Sequence, residues 1–198
     1  SNPEHMKTFT YALLFFLLLF TACTAPHEKV SVDYTTYVNP FIGTDFTGNT
    51  YPGAQAPFGM VQLSPDNGLP GWDRISGYFY PDSTIAGFSH THLSGTGAGD
   101  LYDISFMPVT LPYKEAEAPL GIHSRFSHDD ESATAGYYQV LLKDYNINVE
   151  LTATERCGIQ RYTFPEAQAA IFLNLKKAMN WDFTNDSRVE IVDSVTIQ

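Results

Sequence analysis

The segment Ile147-Asn-Val-Glu-Leu-Thr152 alternates apolar and polar side chains without interruption. In an extended chain, successive side chains point to opposite faces, so the three apolar residues share one face and the three polar residues share the other. This pattern predicts a β-strand that buries one face. Residues 189–197 repeat the alternation and predict a second strand of the same kind.

Outward from this segment, the chain consists of short strand-like runs separated by turn-forming residues, with almost no helical periodicity. The predicted strands span residues 59–63, 77–80, 101–109, 137–143, 147–154, 159–164, 169–175 and 189–197. Turn clusters such as Ser64-Pro-Asp-Asn-Gly68 and Phe164-Pro-Glu166 lie between them. Many short strands at this spacing predict an all-β fold, specifically an antiparallel β-sandwich.

The composition is that of a folded, acidic chain. Aromatic residues make up 14% of the 198 residues and charged residues only 17%, which favours a globular chain over a disordered one. Eleven Lys and Arg stand against 22 Asp and Glu, so the formal net charge is −11. Because nucleic-acid backbones are bound by an excess of basic residues, we expect no nucleic-acid partner.

The N-terminus has the features of an export signal. Met6-Lys7 is followed by an apolar run over residues 12–20 and then by Thr21-Ala-Cys23. The run is shorter than the roughly 20 residues that span a bilayer, and small residues precede the cysteine, so the segment resembles a bacterial lipoprotein signal. We expect Cys23 to be lipidated and to anchor a secreted lipoprotein to the membrane, in the periplasm or at the outer-membrane surface. Ordinary secretion with an incidental cysteine is the alternative.

This signal sets the predicted domain organisation. Residues 1–22 form the signal peptide with extra residues upstream, residues 23–33 form a lipidated tether, and residues 34–198 form the β-sandwich. The chain ends within a strand-like run, so we expect the sandwich to be incomplete at its C-terminus. Cys157 then has no disulfide partner, and we expect it to be buried as a small apolar residue.

The segment Gly87-Phe-Ser-His-Thr-His-Leu-Ser-Gly-Thr-Gly-Ala-Gly-Asp100 has the composition of a binding loop. If residues 88–93 are extended, His90 and His92 point to the same side, and the following glycines let the backbone approach a ligand closely. Imidazole, hydroxyl and carboxylate groups suit a ligand rich in hydroxyls. A zinc site formed by both histidines, with Asp100 or Asp103 as third ligand, is one alternative, and a purely structural role is another.

Two further glycine-rich loops carry side chains suited to sugars. Gly48 and Asn49 lie in one of them, which we call the first loop, and Trp72 and Asp73 lie in the other, the second loop. The segment Gly87–Asp100 is the third loop. An indole ring can stack on the apolar C–H face of a sugar, while amides and carboxylates hydrogen-bond its hydroxyls. The alternative for Trp72 is a place in the core.

Seven segments occur in a fixed order over nearly the whole chain after the signal. They are Asn39-Pro-Phe-Ile-Gly-Thr44, Gly48-Asn-Thr-Tyr-Pro-Gly-Ala54, Pro57-Phe-Gly-Met60, Gly87-Phe-Ser-His-Thr-His-Leu-Ser-Gly-Thr-Gly97, Phe126-Ser-His-Asp-Asp-Glu131, Gly136-Tyr-Tyr138 and Leu151-Thr-Ala-Thr-Glu-Arg156. Together they resemble the N-terminal β-sandwich domain of family 92 glycoside hydrolases, which are bacterial exo-acting α-mannosidases. Ala135 and the segment Cys157-Gly-Ile-Gln160 depart from the family pattern.

The resemblance implies a function and a division of labour. Family members hydrolyse α-mannosidic bonds of mannose-rich glycans with inversion and use a bound calcium ion. Their active site lies between the sandwich and a following (α/α)6 barrel, which supplies the general acid, the general base and the main calcium ligands. The resemblance thus implies no catalytic residue and no metal ligand in this chain, and it implies that the barrel is a partner. The residues of this chain that would meet the substrate are Gly48, Asn49, Trp72, Asp73, His90 and His92.

Three functions stay open on these grounds. The first is the substrate-proximal, non-catalytic part of an α-mannosidase, and the second is a surface glycan-binding lipoprotein without catalysis. The third is a zinc hydrolase that uses His90 and His92. A local pair of carboxylates among the acids of these loops is conceivable, but the resemblance places the catalytic pair in the barrel.

Overall fold

A computed structural model describes residues 32–95, 101–113, 121–166, 168–175 and 184–198. Residues 34–198 form one compact unit, which holds all the elements described below. The signal-like segment and Cys23 lie outside the described residues, so export and lipidation stay predictions.

The described residues form eleven β-strands. The strands are β1 (Ala54–Gln55), β2 (Gln62–Asp66), β3 (Thr84–Ile85), β4 (Gly87–Ser89), β5 (Ser105–Thr110), β6 (Ser124–Arg125), β7 (Glu131–Thr134), β8 (Tyr137–Leu142), β9 (Ile147–Ala153), β10 (Gly158–Thr163) and β11 (Ala169–Asn174). Three short 3-10 helices span Tyr34–Tyr37, Trp72–Arg74 and His128–Asp130. No helix within the described part of the chain is long and apolar enough to cross a membrane.

The strands form two main sheets and a short ribbon. The first sheet has the order β1-β2-β4-β5-β11 and the second has the order β10-β9-β8-β7, while β3 pairs with β6. Neighbouring strands are antiparallel in both sheets. Strands β1 and β2 pack against β9, so the two sheets face each other. The predicted antiparallel β-sandwich is confirmed.

The β8–β9 hairpin supplies the apolar face of the second sheet. Along β8 and β9 every second residue is buried, as the alternation predicts. Val140 lies opposite Val149, and both side chains, like that of Leu151, are fully buried. Each such side chain contributes roughly 1.5 to 3 kcal/mol when it leaves water. Asn146, with φ of 52°, closes the hairpin in the left-handed region that asparagine tolerates.

The prediction of a strand over residues 189–197 is wrong. This segment contains a single isolated bridge between Ile191 and Ile197. Val195 is 91% exposed and Ile191 is 78% exposed, because no sheet in the described residues covers their apolar side chains. Alternation alone does not form a strand when the apolar face has nothing to pack against.

Two local predictions around β2 also need correction. Ser64 to Asp66, predicted as part of a turn, lie in β2, and residues 77–80, predicted as a strand, form a loop. Pro65 is tolerated because it pairs with β4 at a point where β1, which covers only Gln62 and Leu63, has already ended.

Cys157 is exposed rather than buried. It lies in the tight turn between β9 and β10, where its backbone N–H donates to the hydroxyl of Thr154 at 3.1 Å. A residue at the tip of a hairpin projects beyond both sheets, so neither can cover it.

Candidate functional site

The first loop contains a backbone contact that only glycine permits. A Cβ atom on Gly48 would lie 2.2 Å from the carbonyl oxygen of Gly43, well inside van der Waals contact. Gly43 has φ of 86°, and its carbonyl also accepts a hydrogen bond from the N–H of Thr50 at 3.2 Å. The loop therefore folds back on itself, with Gly48 exposed at its surface.

Asn49 joins the first loop to the third. It is 2% exposed with φ of 49°, and its backbone carbonyl accepts a hydrogen bond from the N–H of Gly95 at 2.7 Å. Its Nδ2 donates to the carbonyl of Thr47 at 3.3 Å, whereas its buried Oδ1 has no hydrogen-bond partner. The side chain is thus oriented inward, and Asn49 reaches the surface only through its neighbours.

The second loop presents Trp72 and Asp73 to solvent. Both lie in the 3-10 helix Trp72–Arg74, and the indole of Trp72 is 52% exposed, so this tryptophan is not a core residue. Arg74 holds this helix in place through two contacts. Its Nε donates to Asp82 at 2.6 Å, and its guanidinium lies 4.7 Å from the centre of the Phe79 ring. An exposed indole beside a carboxylate is an arrangement that can stack on a sugar and bind its hydroxyls.

His92 lies beneath the loops rather than at their surface. Its side chain is fully buried, with Nδ1 2.7 Å from the carbonyl oxygen of Gln62 and Nε2 2.9 Å from Oδ1 of Asp66. The hydroxyl of Ser89 lies 3.1 Å from both Nε2 and Oδ1. Because a carbonyl only accepts, Nδ1 donates to Gln62. We call Asp66, Ser89 and His92 the Asp66–His92 cluster.

The Asp66–His92 cluster connects the loops to the first sheet. A Cβ on Gly77 of the second loop would lie 2.8 Å from Oδ1 of Asp66 and 2.9 Å from Cδ2 of His92. The rings of Tyr51 and Tyr102 flank the imidazole at centroid distances of 5.1 and 5.7 Å. Burial raises the pKa of Tyr51 to about 12, so its hydroxyl stays protonated at neutral pH. Residues of all three loops, Tyr51, Gly77 and His92, therefore meet at the Asp66–His92 cluster.

Serine, histidine and aspartate in contact invite comparison with a hydrolytic triad, but the geometry differs. In such a triad the serine and the carboxylate contact different ring nitrogens, whereas here both contact Nε2 of His92. Ser89 and Asp66 are also fully buried. The cluster therefore has a structural role.

His90 occupies a different environment from His92. The strand ends at Ser89, and the ring of His90 packs edge-on against Phe106 at 5.6 Å while Nδ1 donates to the carbonyl of Ile104 at 2.8 Å. Burial lowers the pKa of His90, because it disfavours the charged form. The two histidines therefore do not share one face of an extended segment, and only His90 is partly open to solvent.

A metal site finds little support in these loops. Across the described residues, no group of three or more histidine, cysteine, aspartate or glutamate side chains is placed to hold a metal ion. Asp103 pairs with the hydroxyl of Thr91 at 3.1 Å, and both nitrogens of His92 are already hydrogen-bonded. Asp100 lies outside the described residues. The residues described here thus do not fit calcium or zinc.

A cavity of about 310 Å³ lies beside the first loop and contains none of the predicted site residues. Its lining residues are Asn39, Phe41, Ile42, Thr44, Asp45, Tyr80, His128 and Glu131. Glu131 and His128 belong to Phe126-Ser-His-Asp-Asp-Glu131, and Asn39 to Thr44 form another of the segments quoted above. Sequence reasoning identified both segments but assigned no site to them.

The chain belongs to the glycosyl hydrolase family 92 N-terminal domain family, whose model matches residues 37–198. The fold described above is therefore that of a sandwich domain from a class of glycoside hydrolases. This agrees with the resemblance seen in the sequence segments.

Solved and curated relatives share this domain. An α-mannosidase of family GH92 from Bacteroides thetaiotaomicron, solved in complex with mannoimidazole, is 46% identical with a TM-score of 0.69 over 73% of this chain and 20% of its own. An inverting family GH92 mannosidase from Bacteroides thetaiotaomicron VPI-5482 is 33% identical with a TM-score of 0.56 over 70% of this chain and 19% of its own. A secreted glycosidase of Arthroderma benhamiae is 28% identical in an alignment over 165 residues, with coverage of 80% of this chain and 20% of the relative. The chain thus spans about one fifth of the length of these relatives.

Proposed function

We propose that this chain forms the sandwich side of the substrate cleft in a calcium-dependent, inverting α-mannosidase that trims mannose-rich glycans. The observation that carries the proposal is the convergence of the three loops on the Asp66–His92 cluster, with Trp72 and Asp73 held outward. Membership of a glycoside hydrolase family whose solved members include α-mannosidases supports it.

In this proposal the residues of the loops have distinct roles. Trp72 stacks on the sugar ring, Asp73 binds its hydroxyls, and the exposed Gly48 leaves space for the glycan to approach. His90 faces the glycan or the neighbouring domain through its partly open ring. Asn49 and His92 act as positioning residues, because their side chains are buried.

Bond cleavage in this proposal belongs to a helical barrel that follows the sandwich and holds the calcium ion. Inversion requires an acid and a base about 6.5 to 9.5 Å apart, with a water molecule on one face of the sugar. We propose that the barrel supplies both carboxylates and that the enzyme is exported as a lipoprotein anchored through Cys23.

Hydrolysis of an aryl α-mannoside tests this division. We expect no turnover by the 198-residue chain, and turnover that is lost on treatment with EDTA by a protein that also contains the barrel. Turnover by the 198-residue chain alone would overturn the proposal. Glycan binding by this chain, without turnover by the longer protein, would favour the glycan-binding lipoprotein instead.

A variant locates the substrate. In the protein that contains the barrel, Trp72→Ala should lower kcat/KM about 10- to 100-fold. The indole would no longer stack on the sugar, and this loses about 1.4 to 2.7 kcal/mol of transition-state binding free energy. Tyr37→Ala removes another exposed aromatic ring, 79% exposed and outside the three loops, and should leave kcat/KM unchanged. Equal effects of both substitutions would show that Trp72 does not contact the substrate.

A further inference from the structure

Two of the sequence segments that the three-loop site does not use meet in the cavity beside the first loop. Asn39-Pro-Phe-Ile-Gly-Thr44 supplies one part of the lining, and His128 and Glu131 supply another. Tyr80 connects the two parts, since its N–H donates to the carbonyl of Thr44 at 2.8 Å and its own carbonyl accepts from Nε2 of His128 at 2.7 Å. The cavity is thus built by three segments that are far apart in the sequence.

Hydrogen bonds within the protein hold the polar side of the cavity, which is formed by His128 and Glu131, in place. The carboxylate of Glu131, whose side chain is 1% exposed, accepts hydrogen bonds from the hydroxyls of Tyr138 at 2.5 Å and Tyr78 at 2.9 Å. Nδ1 of His128 lies 2.7 Å from the same carboxylate. Burial and the charge of Glu131 raise the pKa of both tyrosines, so their hydroxyls remain donors at neutral pH. A ligand therefore meets a preformed surface and does not have to order it.

Ring contacts hold the apolar side of the cavity, which is formed by Phe41 and Tyr80, in place. The ring of Tyr80 stacks on that of His128 with a centroid distance of 3.9 Å and an interplanar angle of 6°. Phe41 contacts Tyr80 edge-on at 6.1 Å. Tyr80 is nevertheless 38% exposed, so part of its ring is available to a ligand.

The lining groups define the chemistry of a ligand. Asp45 uses one carboxylate oxygen to accept from the N–H of Phe46 at 2.6 Å, and Asn39 uses its Oδ1 to accept from the N–H of Phe41 at 3.0 Å. The second oxygen of Asp45 and the amide nitrogen of Asn39 are thus left as an acceptor and a donor at the mouth. The lining contains two carboxylates and no Lys or Arg, which disfavours phosphate, sulfate and acidic sugars.

We infer that this cavity is a second carbohydrate subsite, which binds the ring of a neutral hexose independently of the three-loop site. A volume of about 310 Å³ matches a single sugar ring, since small-molecule sites begin at about 300 Å³. The aromatic wall of Phe41 and Tyr80 faces the C–H surface of the ring, while Asp45 and Asn39 bind hydroxyls at the mouth. Because this chain supplies every wall, the subsite does not depend on a barrel or on calcium.

Titration of the 198-residue chain with methyl α-D-mannopyranoside, followed by ¹H–¹⁵N chemical shifts, tests the inference. We expect saturable shifts around Tyr80, His128 and Glu131 with a dissociation constant in the millimolar range, which is about 4 kcal/mol of binding free energy. Inorganic phosphate should cause no such shifts. Saturable shifts confined to the three loops, or no saturable shifts with the mannoside, would overturn it.

Two variants and a control make the test specific. Asp45→Asn keeps the oxygen that caps Phe46 but replaces the outer acceptor, and it should weaken binding about tenfold, as expected for a hydrogen bond to a charged group. Tyr80→Ala should weaken binding by a similar factor, whereas Tyr37→Ala, which removes an exposed ring outside both the cavity and the three loops, should leave it unchanged. Loss of binding in Trp72→Ala with retention in Asp45→Asn would assign the signal to the three loops.

Failure here and failure of the proposed function are distinguishable. The hydrolysis assay does not depend on this cavity, and the titration does not depend on turnover. Thermal unfolding of each variant, compared with the parent chain, separates lost binding from lost folding.

Discussion

The apolar face of the β8–β9 hairpin and the Asp66–His92 cluster are both fully buried, yet they are built from different kinds of side chain. The hairpin places Val140, Val149 and Leu151 against the opposite sheet, with alternation visible in the sequence. The cluster places an acid, an imidazole and a hydroxyl beneath the loops, each bound to specific partners. Apolar burial is non-directional and tolerates repacking, whereas a buried polar cluster is stable only when every partner is in place. The loops thus rest on the part of the fold that is least tolerant of change.

The largest expected effect comes from removing the imidazole of the cluster. His92→Ala leaves Asp66 buried without its ring partner, and it should lower the free energy of unfolding by about 3 to 5 kcal/mol. Chemical denaturation measures this loss. His90→Ala, two residues away and partly open to solvent, should cost clearly less; equal losses would show that the cluster has no special role.

Removal of a buried leucine from the hairpin gives the matching apolar value. Leu151→Ala should lower the free energy of unfolding by about 2 to 5 kcal/mol, because it removes buried methyl groups and leaves a cavity. Ile159→Ala on β10, where the side chain is 59% exposed, is the control and should cost less than about 1 kcal/mol. A comparable cost at both positions would contradict the assignment of the buried face.

A third experiment measures how tightly the second loop rests on the cluster. Gly77→Ala introduces a Cβ 2.8 Å from Asp66 and a strained φ of 88°, and should cost about 1 to 3 kcal/mol. Gly95→Ala carries the same strain with φ of 89°, but its Cβ would meet no atom within 4 Å. Denaturation of both variants isolates the packing contribution, and identical costs would rule it out.

The smallest expected effect is a pH dependence at His90. Burial lowers its pKa below the ordinary value of 6.5, so the unfolded chain binds this proton more readily than the folded one. Stability should therefore fall as the pH drops through 6.5 toward the folded pKa, and this part should vanish in His90→Gln. Denaturation between about pH 7.5 and 5 measures it, since that range spans the unperturbed imidazole titration. A loss of the same size in the variant would assign the effect to other groups.

The same comparison explains which parts of the fold were predictable. Residues 147–154 alternate cleanly, and β9 was found within one residue of its predicted end, because apolar periodicity is the main signal of a half-buried strand. The last three residues of β2, Ser64 to Asp66, were predicted as part of a turn, because serine, proline and aspartate are typical turn residues. Nothing local shows that Asp66 will meet His92.

For the candidate site, the sequence shows which side chains belong to the loops but not which of them reach the surface. Trp72 and Asp73 are exposed, whereas Asn49 and His92 are buried. Burial of a polar side chain depends on partners that are distant in sequence, such as Gln62 for His92, 30 residues away. The cavity at His128 and Glu131 was missed for the same reason, since its walls come from separate segments.

The position of β11 at the end of the first sheet has a consequence for the dynamics of the chain. In the described residues it pairs only with β5, and its sequence, Ala169-Ala-Ile-Phe-Leu-Asn174, carries no charge that would repel another strand. Since β9 is enclosed between β8 and β10, its backbone amides should exchange with deuterium more slowly than those of β11, for which the described residues show one neighbouring strand.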